Sequence, residues 1–265
     1  MNTTRNAVLI VATSLAATTG YADERLFTYS YEAEVLPKGG VEFEQWVTHK
    51  RDQADGLYSR WEFREELEFG LTDRLTTALY LNFRETTVKN DAAGIDDSEF
   101  EFKGVSSEWK YQILNPNKDV IGLLGYGEVT YSGTELELEQ KLILQKNFGD
   151  RWVSVLNVAL EEEWEWEDDE EEREFVIEFT AGLSYRLTDH WAIGLEGRHH
   201  RVYEDWDEEL GSAWFVGPAV HYGSGKWWGT LTVLPQVAGS PDTAHGLELE
   251  EHTKVEARLI VGYNF

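Results

Sequence analysis

The chain has 265 residues, no cysteine and a formal charge of −27. These values exclude a disulfide framework, thiol catalysis and a cysteine-ligated metal, and they argue against nucleic acid as a partner, because a phosphate backbone needs a basic surface. Mean hydropathy is −0.45 and no run reaches the roughly 18 apolar residues of a membrane helix, yet transmembrane β-barrels escape that test because half of each strand faces a polar lumen.

Residues 1–22 (MNTTRNAVLIVATSLAATTGYA) combine Arg5, an apolar stretch from Ala7 to Ala17 and small residues at Gly20 and Ala22. This is the pattern of a secretory signal peptide cleaved after Ala22, and no cysteine stands at the junction for lipid attachment. Residues 23–40 end in Leu36-Pro37-Lys38-Gly39-Gly40, a turn before the first strand. They are expected to form a loose periplasmic extension, with a partial plug in the barrel mouth as the alternative.

From Val41 onward a period of two dominates, the signature of strands. Strands are expected near 41–49, 57–69, 75–85, 99–113, 120–131, 135–147, 152–164, 173–187, 191–201, 212–222, 227–236 and 251–265. Trp61, Phe63, Leu67 and Phe69 share one face, opposite Arg60, Glu62, Arg64, Glu66 and Glu68. Phe175, Ile177, Phe179, Leu183 and Tyr185 likewise oppose Glu178, Thr180, Ser184 and Arg186.

Alternation alone does not say which face is inside, since a soluble sandwich shows the same pattern. The connections do. Short turns at 71–74, 115–119, 149–151, 188–190 and 223–226 alternate with longer acidic loops at 50–56, 86–98, 162–172, 202–211 and 237–250, the tight Ser132-Gly133-Thr134 excepted. Rings gather at both strand ends: Phe69, Tyr111, Phe148, Trp152, Trp191 and Trp227 beside short turns, and Trp46, Trp61, Phe83, Phe100, Tyr131 and Trp164 at the other end. Two such girdles mark the headgroup levels of a bilayer. The expected fold is all-β: an antiparallel up-and-down transmembrane barrel of about 12 strands over 41–265.

The final stretch sets Phe265, Tyr263, Val261, Leu259, Ala257 and Val255 on one face. It resembles the closing strand of Gram-negative outer-membrane β-barrels, a resemblance that implies recognition by the barrel-assembly machinery. Leu36-Pro37-Lys38-Gly39 with Val41-Glu42-Phe43-Glu44-Gln45-Trp46, then Ser107-Glu108-Trp109-Lys110-Tyr111, Gly122, Glu128 and Val216-Gly217-Pro218 resemble a family of uncharacterised proteobacterial outer-membrane proteins. That resemblance implies fold and location, and no activity.

The lumen is expected to be lined by Glu62, Arg64, Glu66, Arg84, Glu108, Lys110, Glu128, Glu139, Lys141, Glu161, Glu178, Arg186, Glu196, Arg198, Glu256 and Arg258. Mixed signs on neighbouring strands can pair into a salt-bridge lattice that closes the bore. The same residues can line a pore whose acid excess favours cations. Glu66 and Glu68 share a face as any polar lumen requires, so no catalytic residues are assigned. His199, His200 and His221 are the histidines considered for an outer-wall lipid hydrolase, and the sequence pairs none with a serine and an acid. The run 161–172 lacks calcium-loop spacing and reads as a solvated tip, or as a divalent-ion bridge to lipopolysaccharide phosphates. No cofactor or metal is expected. The expected partners are outer-membrane lipid and lipopolysaccharide. The leading function is passage of a small solute through the outer membrane by a monomer. A closed structural or surface-interaction barrel is second and a lipid hydrolase third.

Overall fold

The structure is a computed structural model describing residues 24–53, 56–90, 94–167, 170–204, 206 and 208–265. The expected signal peptide lies outside these residues. Twelve strands follow in order: β1 (Val41–Arg51), β2 (Leu57–Thr72), β3 (Leu75–Asn90), β4 (Ile95–Leu114), β5 (Gly122–Tyr131), β6 (Glu135–Phe148), β7 (Trp152–Glu167), β8 (Glu170–Arg186), β9 (Trp191–Glu204), β10 (Glu208–Ser224), β11 (Trp227–Ser240) and β12 (Val255–Asn264). Each pairs with its neighbours in sequence, and β1 pairs antiparallel with β12 to close the ring. Closure leaves no unpaired edge, the condition for a sheet to sit in lipid.

The long acidic connections differ from expectation. Pairing of β3 with β4 continues to Asn90↔Ile95, that of β7 with β8 to Glu167↔Glu170, and that of β9 with β10 to Glu204↔Glu208. The segments read as loops at 86–98, 162–172 and 202–211 are therefore mostly hairpin. Beyond the apolar band both faces of a strand meet water, so the hydrophobic period vanishes while the ladder continues. The last strand begins at Val255 rather than 251.

The outward faces carry the apolar residues. Leu79, Leu195, Trp109 and Leu231 are 58%, 56%, 50% and 45% exposed, and they belong to a belt that runs round the barrel. Soluble monomers rarely expose a continuous apolar patch of this extent. Rings border it at the short-turn end, where Trp152 meets Tyr185 at 4.8 Å, Trp191 meets Tyr222 at 4.6 Å and Trp227 meets Tyr263 at 4.7 Å. At the long-hairpin end His199 stacks on Trp214 and His49 on Trp61, each at 4.0 Å.

Trp46 is a correction. It is 2% exposed and points inward with Glu42 and Glu44, whose parity it shares, instead of joining the outer girdle. Inside, the core consists of three clusters: Tyr31, Trp46, Tyr126 and Trp228 with Leu124, Ile143 and Ile260; Phe27 and Leu26 with Val153, Val155, Ala192 and Ala219; and Tyr29 with Ala213, Phe215 and Leu234. Each contains residues from the segment that precedes β1.

Candidate functional site: an occluded, charged lumen

Residues 24–36 lie inside the barrel and do not form a loose extension. The chain turns at the short-turn rim, where the Gly39 N–H donates to the Gly70 carbonyl at 2.7 Å. Traced back from there toward the N-terminus, it enters the lumen, bends at 28–30 and returns to the same end. On the way the Ala33 N–H donates to Gln145 (2.7 Å) and the Tyr31 N–H to Asn157 (2.6 Å), while the Gln112 side chain donates to the Ala33 carbonyl (2.8 Å). At the bend the N–H groups of Thr28, Tyr29 and Ser30 all donate to the carboxylate of Glu196, at 3.3 Å and 2.9 Å for the first two. Arg258 donates to the Thr28 carbonyl (3.2 Å). On the way out, Thr230 donates to the Arg25 carbonyl, and His221 approaches that carbonyl and Glu24 at 3.0 and 3.2 Å. These partners sit on β4, β6, β7, β9, β10, β11 and β12. A segment that touches seven strands of a closed ring is enclosed by it.

The plug satisfies its own backbone through wall side chains, as buried irregular backbone must. Phe27, Thr28, Ser30, Ala33 and Leu36 are fully buried. Gly182 makes room for this: a Cβ there would come within 2.6 Å of the Phe27 ring. Arginines finish the packing, with Arg25 over Tyr31 at 3.9 Å and Trp46 at 4.4 Å, and Arg258 over Tyr29 at 4.1 Å. Such stacks combine ring burial with cation–π attraction.

Around the plug the wall charges form short-range groups. Arg198 bridges two strands, pairing with Glu178 and, through Nη1, with both Glu256 oxygens at 2.8 and 3.0 Å. Arg64 pairs with Glu128, which also accepts from the Tyr126 hydroxyl. Lys110 lies 2.6 Å from Glu68 and 3.3 Å from Glu108, and Tyr80 donates to Glu108. Lys141 pairs with Glu139 at 2.8 Å, and Lys50 with Glu62 at 3.1 Å. Glu66 is buried opposite Glu44 across the β1–β2 ladder. Arg84 and Glu161 line the wider space toward the long hairpins. Arg186 stands apart, exposed at the short-turn mouth beside Asp150 and Arg151. Three carboxylate groups, Glu42/Glu44/Glu68, Glu66/Glu68/Glu108 and Glu135/Glu137/Glu163, bring oxygens within 4.8 Å of one another. Oxygen sets of this kind suit hard cations, although the Lys110 ammonium already supplies positive charge to the second.

Three cavities stand out among the described residues. One of about 440 Å³ opens at the short-turn end between Glu24, Leu26, Arg186 and His221. One of about 240 Å³ lies at mid-height beside Tyr29, Tyr31 and Trp46. One of about 460 Å³ forms a vestibule under the long hairpins. Residues Leu26–Tyr31 stand between the first and the other two. The β11–β12 connection roofs part of the vestibule. Its Glu248 is fully buried, accepts the N–H of Glu250 at 2.7 Å and meets His252, which reaches His200 at 3.0 Å.

The histidines resolve differently from one another. His199 is on the outer wall within an aromatic stack, His200 faces the vestibule, and His221 holds the plug. The structure does pair His49 with Ser59 at 3.0 Å on the outer wall, a contact not read from the sequence. Among the described residues no carboxylate hydrogen-bonds to that imidazole, so the dyad lacks the orienting acid of a hydrolase. The sequence reading holds a partial plug over 23–40 as its alternative and names no residue of it, although Phe27, Tyr29, Tyr31, Ala33 and Val35 alternate with Thr28, Ser30, Glu32 and Glu34, a strand-like signal of order.

No protein of curated function matches the chain. Among solved structures it is similar to the COG4313 outer membrane channel from Pseudomonas putida F1, at 14% identity and a TM-score of 0.64, covering 88% of this chain and 98% of that one. It is also similar to the NanC porin, at 8% identity and a TM-score of 0.55 over 84% of this chain and all of that one. The KdgM porin matches at 9% identity and a TM-score of 0.50 over 84% and 99%. At these identities the likeness is one of fold, that of outer-membrane barrels. The family model that matches, over residues 19–265, covers the plug and the whole ring, and the chain therefore belongs to DUF6662, a family of unknown function.

Proposed function

We propose that this protein is a narrow outer-membrane channel for a small solute, held shut at rest by its own residues 24–36. The supporting observation is the arrangement of the lumen. Charge-lined cavities open at both ends and are parted by a segment that is not a strand of the wall and whose backbone is held by polar wall side chains. The wall holds it through hydrogen bonds from seven strands, contacts that can exchange for water. The reading includes export by residues 1–22, lipid and lipopolysaccharide around the apolar belt, recognition of β12 by the assembly machinery, and a monomeric barrel. The porin and channel folds of similar structures agree with it.

Planar-bilayer recording tests this. The full mature chain is expected to show brief openings of small conductance. Removal of the plug's anchors is expected to lengthen them. A folded barrel with no open state at any voltage, with or without those anchors, would sink the channel reading. It would favour a closed structural barrel, for which the complete burial of Phe27, Thr28 and Ser30 already speaks.

A further inference from the structure

The vestibule has an uneven charge distribution. Two of its cations are neutralised locally, Lys50 by Glu62 and Arg198 by Glu256. Arg60 on β2 and Arg84 on β3 make no ion pair within 4 Å among the described residues, and the Nε of each is buried without a hydrogen-bond partner; Glu62, the ladder partner of Arg84 and already engaged by Lys50, is the one acid on that wall of the cavity, against the three cations Lys50, Arg60 and Arg84. Across the same cavity stand Glu161 and Glu163 on β7 and Glu174 on β8; Glu163 adjoins Glu135, which Lys103 pairs, and Glu161 and Glu174 make no ion pair among the described residues. β2 and β8 are six places apart in a ring of twelve, which puts them on opposite walls. Glu250 and Glu251 of the β11–β12 connection rim the space and add to its acid side. The result is an uneven placement of charge-bearing groups, with guanidinium groups in excess on one wall and carboxyl groups in excess on the other.

A lone anion entering this space is attracted by one wall and repelled by the other, and a lone cation likewise. A solute carrying both charges meets no such conflict if its length matches the gap. The cavity of about 460 Å³ has the volume of a sphere about 10 Å across, within the size range of small-molecule sites. An α-amino acid, whose charges are about one residue apart, cannot reach both walls. We infer that the vestibule binds an elongated zwitterion, with its carboxylate on Arg60 and Arg84 and its ammonium on Glu161, Glu163 and Glu174. Arg suits the carboxylate end because its planar fork offers paired donors, and the dry cavity wall strengthens both contacts. The assignment names the solute class of the proposed channel and rests on that reading for onward passage, whereas binding in the vestibule requires no opening of the plug.

Calorimetric titration of the detergent-solubilised full chain tests it with three probes of one chain length: 6-aminohexanoate, hexanoate and hexylammonium. The zwitterion is expected to bind at least tenfold more tightly than either singly charged homologue, a difference of about 1.4 kcal/mol. Glycine is expected to bind no better than the singly charged pair. Arg60→Gln with Arg84→Gln, and separately Glu161→Gln with Glu163→Gln, are each expected to abolish the preference while retaining the folded barrel. Equal binding of hexanoate would overturn the proposal in favour of an anion site, equal binding of hexylammonium in favour of a cation site, and no binding of any probe would overturn it outright. Bilayer recordings with the same probes keep the two readings separate: selective binding without conductance removes the channel and leaves the site, and conductance without selectivity removes the site and leaves the channel.

Discussion

Replacing Glu196 by Gln tests the plug at its tightest attachment. Both carboxylate oxygens are used, one by Thr28 and the other by Tyr29 and Ser30. Hydrogen bonds to a charged group are worth about 1.5–3 kcal/mol, against about 0.5–1.5 for neutral ones. An amide keeps one acceptor oxygen for Tyr29 and Ser30 and turns its NH₂ toward the Thr28 N–H, which then has no acceptor. Loss of charge assistance on two bonds and of the third bond altogether amounts to at least about 3 kcal/mol, or on the order of 100-fold or more in the closed-to-open ratio. The absence of native cysteine supplies a clean assay. Ser30, fully buried at the bend, is changed to Cys and its reaction with a charged maleimide is timed. Labelling is expected to accelerate about 100-fold in the Glu196→Gln background, with a parallel rise in open time. Equal labelling rates in two folded barrels would refute the claim that this carboxylate holds the plug.

Other outcomes follow from the same geometry. Gly182→Val is expected to drive Phe27 from its seat and raise conductance, which single-channel recording reads directly. Leu195→Arg is expected to cost about 2–4 kcal/mol if lipid covers the belt. At an exposed site in water it would cost about 0.5 or less, so urea unfolding from bilayers decides. Arg198→Met leaves Glu178 and Glu256 without their shared cation and is expected to destabilise the barrel by about 3–5 kcal/mol, measured in the same assay. Burial holds the His252 imidazole below its ordinary pKa, and the facing Glu248 offsets this only in part. The neutral form is therefore the one the folded connection accepts. Its contribution is fully present above about 6.5, the unfolded value, and declines as pH falls through and below it. Hydrogen exchange over 241–254 is expected to quicken between pH 7.5 and pH 5, and His252→Gln to flatten the dependence.

The ring is legible in the sequence because lipid and lumen impose opposite chemistry on alternate residues, and that contrast survives for about ten residues per strand. It ends where both faces meet water, which is why the hairpin extensions past Thr86 and Glu162 read as loops. Position along the strand alone misplaces Trp46; its parity with Glu42 and Glu44 assigns it to the interior. Alternation places the lumen residues too, but it does not name their partners. Glu196 meets a segment 166–168 residues away, and nothing local in either stretch points to the other. The opposed walls of the vestibule are hidden for the same reason, since which strands face one another depends on how many complete the circle.

The enclosed segment also bears on assembly. It is tethered directly to β1, yet four of the strands it touches, β9 to β12, come last in the chain. Joining β1 to β12 from an open sheet means closing a loop of more than 200 residues, an entropic cost that grows with the logarithm of that length. A cord fastened at one margin and hydrogen-bonded to the other would shorten that search, so the residues that stand in the bore also tie together the two sides of its seam.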